Sequence, residues 1–320
     1  MPEQNRKPSK VSIIGSGMVG STLGYSLIME GTVSELVLVD VNRDRAEGEA
    51  MDINHAIPFT SPATVTAGDY ADCRHSDIIV ITAGIAQSPG ESRLALAERN
   101  IKILSQIVPR LVEVAPDAII LILSNPVDLL TYATVRMSGL PWQHVIGSGT
   151  VLDTARFRYE LSARCKVDPR NVHAYIIGEH GDSEVPAWSL TNIAGVDLEK
   201  FCQLCGEKCS SQELTGTFER VRNAAYEIIR LKGATYYGVA LGTVRMIEAI
   251  LRDQNTILTA STLLQGQYGL KDICLSLPAI LGREGVRWVV EIPLSEGERR
   301  ALIQSAEKLK EVLKQITFEE

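Results

Sequence analysis

The sequence lacks any apolar run long enough to cross a bilayer as a helix. Its longest apolar stretches are residues 78–83 and 118–123, whereas a membrane-spanning helix needs about 20 residues. The opening segment MPEQNRKPSK is polar and has no apolar core of the kind found in targeting signals. We therefore expect a cytoplasmic globular protein without a membrane partner, and a frayed lead-in to the first strand.

Positive charge is also scarce. The chain has 320 residues, with 32 Lys and Arg against 39 Asp and Glu, and a net charge of −7. Both signs are mixed along the chain, so no basic stripe is available for nucleic acid. Any anion that the protein binds must therefore be held by a few well-placed cations.

Cysteine is infrequent, and three of the six cysteines lie close together. Cys202, Cys205 and Cys209 form a C-x2-C-x3-C cluster within a segment that has a helical pattern. This spacing is compatible with a metal or cluster site, but no fourth ligand lies nearby. We therefore expect reduced thiols and no bound metal, although the sequence does not explain why the cysteines cluster.

Short β-rich runs alternate with helical patterns in the first half of the chain. Several runs are apolar throughout, as expected for parallel strands that are covered on both faces. The six candidate strands are residues 11–15, 35–40, 64–67, 77–84, 118–124 and 144–147. Six strands with crossover helices predict an α/β domain with a Rossmann-type, doubly wound parallel sheet.

The second half of the chain has a different pattern. Longer helical patterns appear there, together with a hairpin-like pair of apolar segments at 273–281 and 285–292. We therefore predict two domains, a dinucleotide-binding domain at 1–147 and an α+β substrate-binding and catalytic domain at 148–320. No internal repeat is present.

A glycine motif follows the first candidate strand. Glycines in a G-x-G-x-x-G pattern allow a tight turn, close approach of a pyrophosphate to the backbone and close packing of the next helix. The residues assigned to the cofactor here are Gly15, Gly17, Met18, Val19 and Gly20. Asp40 ends the next strand at the distance expected for an acid that binds a ribose 2′-hydroxyl, which favours NAD over NADP. The alternative is an Asp that merely caps a turn.

His180 has the most unusual setting of the five histidines, between Gly178 and Gly181 after an apolar run. Imidazole exchanges protons near neutral pH, and NAD-linked alcohol oxidation needs a base. Asp153 and Arg156 are three residues apart, so on a helix they share one face. If that face meets His180, Asp153 can orient the imidazole and Arg156 can grip a substrate carboxylate. A structural histidine and a surface ion pair are the alternatives.

Taken in order, these motifs resemble the L-2-hydroxy-acid dehydrogenases of the lactate and malate type. The resemblance covers nearly the whole chain and includes GIAQSPGESR, LSNPVD, GTVLDTARFR, GEHGDSEVPAWS and KGATYYGVA. It implies that His180 is the acid and base, that Asp153 orients it and that Arg156 holds the substrate carboxylate. It also implies a homotetramer.

The same resemblance assigns three more site residues. Arg93 is expected on a mobile loop that closes over the site and polarises the substrate carbonyl. Asn125 is expected to hydrogen-bond the same oxygen or the nicotinamide region, and Thr235 is expected to line the pocket. Closure of the loop expels water and strengthens these contacts.

The same resemblance implies that Gln87 distinguishes pyruvate from oxaloacetate. Malate-type members carry Arg at the matching position, because oxaloacetate has a second carboxylate, whereas lactate-type members carry Gln. Leaving one charge of a buried pair without its partner costs roughly 3–5 kcal/mol. We therefore expect an L-lactate dehydrogenase acting on pyruvate and lactate. The alternatives are a malate dehydrogenase, a dehydrogenase of bulkier 2-keto acids and a non-catalytic NAD-binding protein.

Arg158 and His173 indicate an effector site by resemblance. In many bacterial lactate dehydrogenases the matching residues form an anion site between subunits that binds fructose 1,6-bisphosphate and activates the enzyme. Arg158 is two residues from Arg156, so on a helix it points away from the substrate. The alternative is a surface cation and a histidine at a strand end, with no ligand.

Overall fold

Six parallel strands with crossover helices build the first half of the fold. The computed structural model describes residues 9–86, 92–206 and 209–316. The strands are β1 (Lys10–Ile14), β2 (Glu35–Val39), β3 (Thr64–Ala67), β4 (Ile78–Ile81), β5 (Ile119–Ile122) and β6 (Val145–Gly147). The helices are α1 (Met18–Met29), α2 (Arg43–Ala56), α3 (Arg93–Val114), α4 (Val127–Ser138) and α5 (Val151–Cys165).

These strands lie side by side in the order β3-β2-β1-β4-β5-β6, and each pairs in parallel with its neighbours. All four residues of β4 and all four of β5 are buried, because helices cover both faces of the sheet. This explains why the corresponding runs are apolar throughout instead of alternating. The predicted Rossmann-type, doubly wound sheet is confirmed.

Longer helices and antiparallel strands make up the second half. The strands are β7 (Val172–His173), β8 (Ile176–Ile177), β9 (Val185–Pro186), β10 (Asn192–Ile193), β11 (Val196–Asp197), β12 (Thr256–Gln265), β13 (Lys271–Gly282) and β14 (Gly285–Val289). The helices are α6 (Leu198–Cys205), α7 (Ser211–Lys232), α8 (Tyr237–Leu251) and α9 (Glu296–Leu313). The β13–β14 pair is the predicted hairpin.

The main sheet continues across the predicted domain boundary. Ser261 in β12 pairs with Gly147 in β6, and β13 and β14 follow, so the sheet has nine strands. The sequence pattern did not reveal β12. The division of the chain at residue 147 stays a prediction, because a continuous sheet joins the two halves.

Parallel strands direct the functional segments to one edge of the sheet. The turn after β1 leads into α1, and Asn125 follows β5 immediately before α4. Segments that leave the carboxyl ends of neighbouring parallel strands meet at this edge, where open α/β sheets bind ligands. Helix α5 begins four residues after β6 and adds its first turn to the same edge.

The expectation that the cysteines are reduced is wrong for two of them. Cys202 and Cys209 form a disulfide, with their Cα atoms 6.1 Å apart. Helix α6 ends at Cys205, and its C-cap Gly206 adopts a left-handed conformation with φ of +74°. Cys202 faces an apolar cluster around Phe157 and is buried, whereas Cys205 is exposed and free. The sequence analysis did not predict this pairing, because a continuous helix would hold Cys202 and Cys209 too far apart along its axis to form a disulfide.

Within residues 9–86, 92–206 and 209–316, no group of three His, Cys, Asp or Glu side chains is placed to hold a metal ion. No helix in the same ranges is both long enough and apolar enough to cross a membrane.

Candidate active site

The turn after β1 packs its glycines against neighbouring backbone. Gly15 has φ of +105°, and a Cβ there would lie 2.7 Å from the backbone nitrogen of Ala83. A Cβ on Gly20 would lie 1.9 Å from the carbonyl oxygen of Gly15, so α1 can approach the turn only with glycine at this position. Gly17 is the N-cap of α1, and a Cβ there would meet nothing within 4 Å. The helix N-terminus is therefore open to an anion.

Asp40 lies beside this turn, directly after β2. Its Oδ2 accepts a hydrogen bond from the backbone N–H of Ser16 at 2.6 Å, and its Oδ1 accepts one from Asn42 at 2.9 Å. The buried Oγ of Ser16 has no hydrogen-bond partner among the described residues. Met18 is exposed at the start of α1, and Val19 lines the cavity that adjoins the turn. The predicted cofactor residues therefore lie together.

A cavity of about 160 Å³ lies between the edge of the sheet and helices α5, α7 and α8. Most of its wall consists of aliphatic side chains and backbone. Four polar residues singled out in the sequence line it, namely Asn125, Arg156, His180 and Thr235. The fold therefore brings into one cavity side chains from four separate segments of the chain.

His180 meets the predicted face of α5. Its Nδ1 lies 2.5 Å from Oδ2 of Asp153, and Arg156 Nη1 donates to Oδ1 of the same carboxylate at 3.0 Å. The Asp153 side chain is only 4% exposed, whereas the His180 side chain is 25% exposed. A buried carboxylate thus lies between two basic groups. The contact at Nδ1 leaves Nε2 of His180 as the ring nitrogen that can reach a ligand in the cavity.

The charges around His180 favour its protonated form. Burial has the largest single effect and favours the neutral imidazole, but the charge and hydrogen bond of Asp153, together with Asp128 and Glu184, raise the pKa of His180 to about 9. Burial opposes ionisation of Asp153 as well, yet His180 and Arg156 outweigh it and lower the pKa of this carboxyl. At neutral pH the pair is an imidazolium beside a carboxylate.

Arg93 lies at the first position of α3, not within a loop as expected. Ser92, the residue before Arg93, is the N-cap of α3. Its side chain accepts a hydrogen bond from the backbone N–H of Ala95. The Arg93 guanidinium forms an ion pair with Glu179, and Nη2 donates to the carbonyl oxygen of His180 at 2.9 Å. The start of α3 is therefore docked on the segment that carries His180.

Asp128, which the sequence reasoning missed, holds the backbone of His180. Its Oδ2 accepts a hydrogen bond from the His180 N–H at 2.8 Å, and its Oδ1 accepts one from Ser261 Oγ at 2.6 Å. Burial raises the pKa of Asp128 to about 6. Its place in the LSNPVD motif, at the start of a helix after a buried strand, is the signal that could have revealed it.

Three other predicted residues lie outside this cavity or outside the described residues. Gln87 belongs to the segment 87–91, which the structure does not describe. Arg158 donates from Nε to the carbonyl oxygen of Ala174 at 3.1 Å, and its guanidinium lies 5.6 Å from the centre of the Tyr175 ring. His173 is exposed on β7. Arg158 thus points away from the cavity, as the helical spacing predicts.

Comparison with known proteins connects this geometry to one family. A family model described as the lactate/malate dehydrogenase NAD binding domain matches residues 9–147. A second, described as the lactate/malate dehydrogenase alpha/beta C-terminal domain, matches residues 150–320. The chain belongs to the lactate/malate dehydrogenase family. The resemblance seen in the sequence motifs is thereby confirmed.

Similar members of the family match over nearly the whole chain. An L-lactate dehydrogenase of Thermoanaerobacter sp. (strain X514) is 54% identical over 308 residues, which are 96% of this chain and 99% of that protein. L-lactate dehydrogenase 1 of Clostridium acetobutylicum is 53% identical over 311 residues, covering 97% and 99%. A ligand-bound crystal structure of the minor L-lactate dehydrogenase from Enterococcus mundtii has a TM-score of 0.94 at 42% identity, covering 98% and 99%.

The dinucleotide-binding residues of this family member fit NAD. The N-terminus of α1 is open at Gly17, where the pyrophosphate can approach the backbone. The unpartnered Oγ of Ser16 supplies a polar atom in the same turn. Asp40 supplies a carboxylate that can accept hydrogen bonds from ribose hydroxyls and that repels a 2′-phosphate. The match to the NAD binding domain of the family confirms the predicted cofactor, NAD.

Proposed function

We propose that the protein is an L-lactate dehydrogenase, which reversibly reduces pyruvate to L-lactate with NADH. The contact between Nδ1 of His180 and Oδ2 of Asp153, at 2.5 Å in a cavity that Arg156 also lines, carries the proposal. An acid and a carboxylate-binding cation side by side suit a 2-keto acid. The curated relatives of 53–54% identity are L-lactate dehydrogenases, which supports this substrate class.

Each polar residue at the cavity has its own role in the proposed reaction. When bound, NADH supplies the hydride that reduces the keto carbon. His180 donates the Nε2 proton to the carbonyl oxygen, and Asp153 holds the ring and stabilises its charge before the transfer. Arg156 pairs with the substrate carboxylate, as a bidentate guanidinium can. In the reverse direction, neutral His180 takes the proton from the hydroxyl of lactate.

Three further residues complete the proposed site. Asn125 is exposed toward the cavity, where its amide can donate a hydrogen bond to the reacting oxygen or to the nicotinamide. Thr235 borders the cavity from the segment between α7 and α8. Arg93 donates a hydrogen bond to the carbonyl oxygen of His180 and so lies next to the segment that carries the proposed acid. After a change of rotamer, its guanidinium is proposed to polarise the substrate carbonyl. Its ion pair with Glu179 must then be exchanged for the substrate.

Activity measurements test the proposal directly. NADH absorbance is followed with pyruvate, with oxaloacetate and with a bulkier 2-keto acid. We expect the highest kcat/KM with pyruvate. A preference for oxaloacetate would favour malate dehydrogenase, a preference for the bulkier acid would favour a broader enzyme, and no turnover would favour a non-catalytic NAD-binding protein.

Gln87 is proposed as the residue that selects pyruvate, on the basis of the family resemblance and its neutral side chain. Gln87→Arg supplies the counter-ion for a second carboxylate, so we expect the ratio of kcat/KM for oxaloacetate to that for pyruvate to rise about 10²- to 10⁴-fold. Gln106→Arg adds the same charge on the exposed face of α3 and serves as the control. An unchanged ratio in the Gln87 variant would remove it as the selector.

Activation by fructose 1,6-bisphosphate is proposed at Arg158 and His173. Arg158 donates to the carbonyl oxygen of Ala174, the residue after His173, so its side chain reaches the strand that carries His173. We expect the effector to lower the KM for pyruvate in the natural protein and to lose this effect in Arg158→Gln. Arg300→Gln, an exposed cation on α9, is the control. The same KM with and without effector would refute the proposal.

A homotetramer is proposed from the family resemblance. Large apolar side chains exposed on three helices support a contact between subunits. They are Tyr25 and Met29 on α1, Met51 on α2, and Tyr237 and Leu241 on α8. Light scattering coupled to gel filtration measures the assembly, and a mass equal to one chain would contradict it.

A further inference from the structure

The segment that carries His180 is the turn of a short hairpin. Strands β8 and β9 pair with each other in antiparallel orientation, and residues 178–184 join them. Gly178 exchanges two backbone hydrogen bonds with Ser276 on β13, at 2.8 and 3.0 Å, which fixes the first residue of the turn to the main sheet. A hairpin of such short strands is marginally stable by itself. The position of His180 therefore depends on contacts between the turn and other elements.

Helix α9 packs on this hairpin and on the segment that follows it. Near the start of the helix, the Glu298 carboxylate accepts hydrogen bonds from the backbone N–H and the hydroxyl of Ser189, at 2.9 and 2.5 Å. Two helical turns later, Ser305 lies against the hairpin turn, where a Cβ on Gly178 would be 3.0 Å from its Oγ. The two residues share one face of α9 because they are seven positions apart. Ser305 is only 1% exposed.

The hydroxyls of Ser305 and Ser183 connect the backbone of Glu179 to its own side chain. The Glu179 N–H donates to Ser305 Oγ at 2.9 Å, and this oxygen lies 3.0 Å from Ser183 Oγ. Ser183 Oγ in turn donates to Oε2 of Glu179. Because a carboxylate only accepts, the Ser183 proton points to Glu179 and the Ser183 oxygen accepts the proton of Ser305. Each hydroxyl thus donates one hydrogen bond and accepts one, in a ring that begins and ends at Glu179.

Glu179 connects this ring of hydrogen bonds to two residues of the proposed mechanism. It directly precedes His180, whose backbone N–H is bound by Asp128 at 2.8 Å. Its carboxylate forms an ion pair with Arg93, which donates to the carbonyl oxygen of His180 at 2.9 Å. The Glu179 side chain is 5% exposed, so packing leaves it few other positions. One buried residue therefore restrains both the backbone of His180 and the place where Arg93 docks.

We propose that Ser305 is a positioning residue, through which α9 holds the turn that carries His180 in the geometry needed for proton transfer. The inference rests on the proposed function, because it takes His180 as the proton donor to pyruvate. Among the described residues, those that line the cavity do not include Ser305, so it acts through Glu179. A misplacement of about 1 Å in a reacting group can cost about 10²-fold in rate. Loss of one hydroxyl behind the turn can therefore slow the reaction.

Single-turnover kinetics of the whole enzyme separate positioning from folding. Enzyme loaded with NADH is mixed with saturating pyruvate. The rate constant of NADH oxidation reports the geometry of the folded enzyme, whereas the amplitude reports how much enzyme is folded. Ser305→Ala leaves the Glu179 N–H without its acceptor, so we expect the rate constant to fall about tenfold. In steady-state assays the KM for pyruvate should change little, because Arg156, which is proposed to bind the carboxylate, lies on α5 outside the ring.

Two further serine variants accompany Ser305→Ala. Ser183→Ala opens the same ring at a partly exposed position and keeps the bond between the Glu179 N–H and Ser305, so it should lower the rate constant by a smaller factor. Ser76→Ala is the matched control. Ser76 is also buried, and its Oγ lies 2.7 Å from the Oγ of another serine, Ser12, near the amino end of β4. Its replacement should leave the rate constant unchanged.

A lower amplitude in Ser305→Ala with the rate constant of the natural enzyme overturns the inference, because the hydroxyl would then serve folding alone. An equal loss of rate in Ser76→Ala also overturns it. If Ser305→Ala yields no folded enzyme, Ser183→Ala decides, and the natural rate constant in that variant refutes the positioning role. Failure of the proposed function gives a different result, namely no NADH oxidation with pyruvate in the natural protein, or full activity in His180→Asn.

Discussion

Replacement of Asp153 by Asn tests whether this carboxylate holds the proton on His180. The side chain keeps its shape, but the negative charge beside Nδ1 is lost. The pKa of His180 lies at about 9 instead of the ordinary 6.5, and each pH unit corresponds to 1.36 kcal/mol. The surroundings therefore favour the imidazolium by roughly 3 kcal/mol, most of it supplied by Asp153 against the opposing effect of burial.

Without that charge, burial should bring the pKa of His180 to its ordinary value of 6.5 or lower. The fraction of protonated His180 at pH 7.5 then falls about tenfold. We expect kcat/KM for pyruvate at this pH to fall by about tenfold or more, and the alkaline midpoint to move down by about 2.5 pH units or more. Because the missing proton can be supplied by acid, activity should recover substantially toward pH 6.

The assay is NADH oxidation with pyruvate across the pH range, with Asp117→Asn as a control that removes an exposed carboxylate. The reasoning is refuted if Asp153→Asn keeps the alkaline midpoint of the natural enzyme. It is also refuted if activity is lost equally at all pH values while the melting temperature is unchanged, because the loss would then not come from the proton on His180.

Three further predictions concern the cofactor turn, the substrate cation and a buried acid. Gly20→Ala places a Cβ 1.9 Å from a backbone oxygen and should lower both the melting temperature and NADH affinity, whereas Gly17→Ala, with open space around it, should keep the melting temperature. Arg156→Lys loses the bidentate fork, so the KM for pyruvate should rise about 10-fold or more in steady-state assays, and an unchanged KM would contradict its role. Burial raises the pKa of Asp128 from 3.8 to about 6, so its stabilising contribution is present below pH 4 and lost as the pH rises to 6. The melting temperature of Asp128→Asn relative to the natural protein should therefore increase over this interval, and a constant difference would contradict the argument.

Elements with a strong local pattern could be predicted from the sequence. The apolar run around Ile78–Ile81 forms a strand because helices cover both faces of the sheet there. The spacing of Asp153 and Arg156 placed both on one face of α5, where they form an ion pair. Asp40 lies beside the glycine turn because parallel neighbouring strands end at the same edge of the sheet. Each of these predictions depends on residues close in sequence or on a known supersecondary unit.

Contacts between distant segments could not be predicted in the same way. Helix α6 was expected, yet the pairing of Cys202 with Cys209 depends on the turn at Gly206. The docking of Arg93 on the His180 segment joins residues 87 positions apart. Strand β12 extends the sheet next to β6 without any local signal for that partner. Such contacts depend on how packed elements meet, which periodicity does not encode.

The sequence by itself determined the six strands of the first half and the β13–β14 hairpin, the glycine turn with Asp40 and the identities of the groups that can carry a proton or bind a carboxylate. Only the tertiary structure decided their protonation. His180 and Glu184 have pKa values of about 9 and about 8 because folding removes them from water and surrounds them with charges from α4, α5 and α7. Burial and distance between charges are properties of the packed chain, and they give these ordinary side chains their different affinities for a proton.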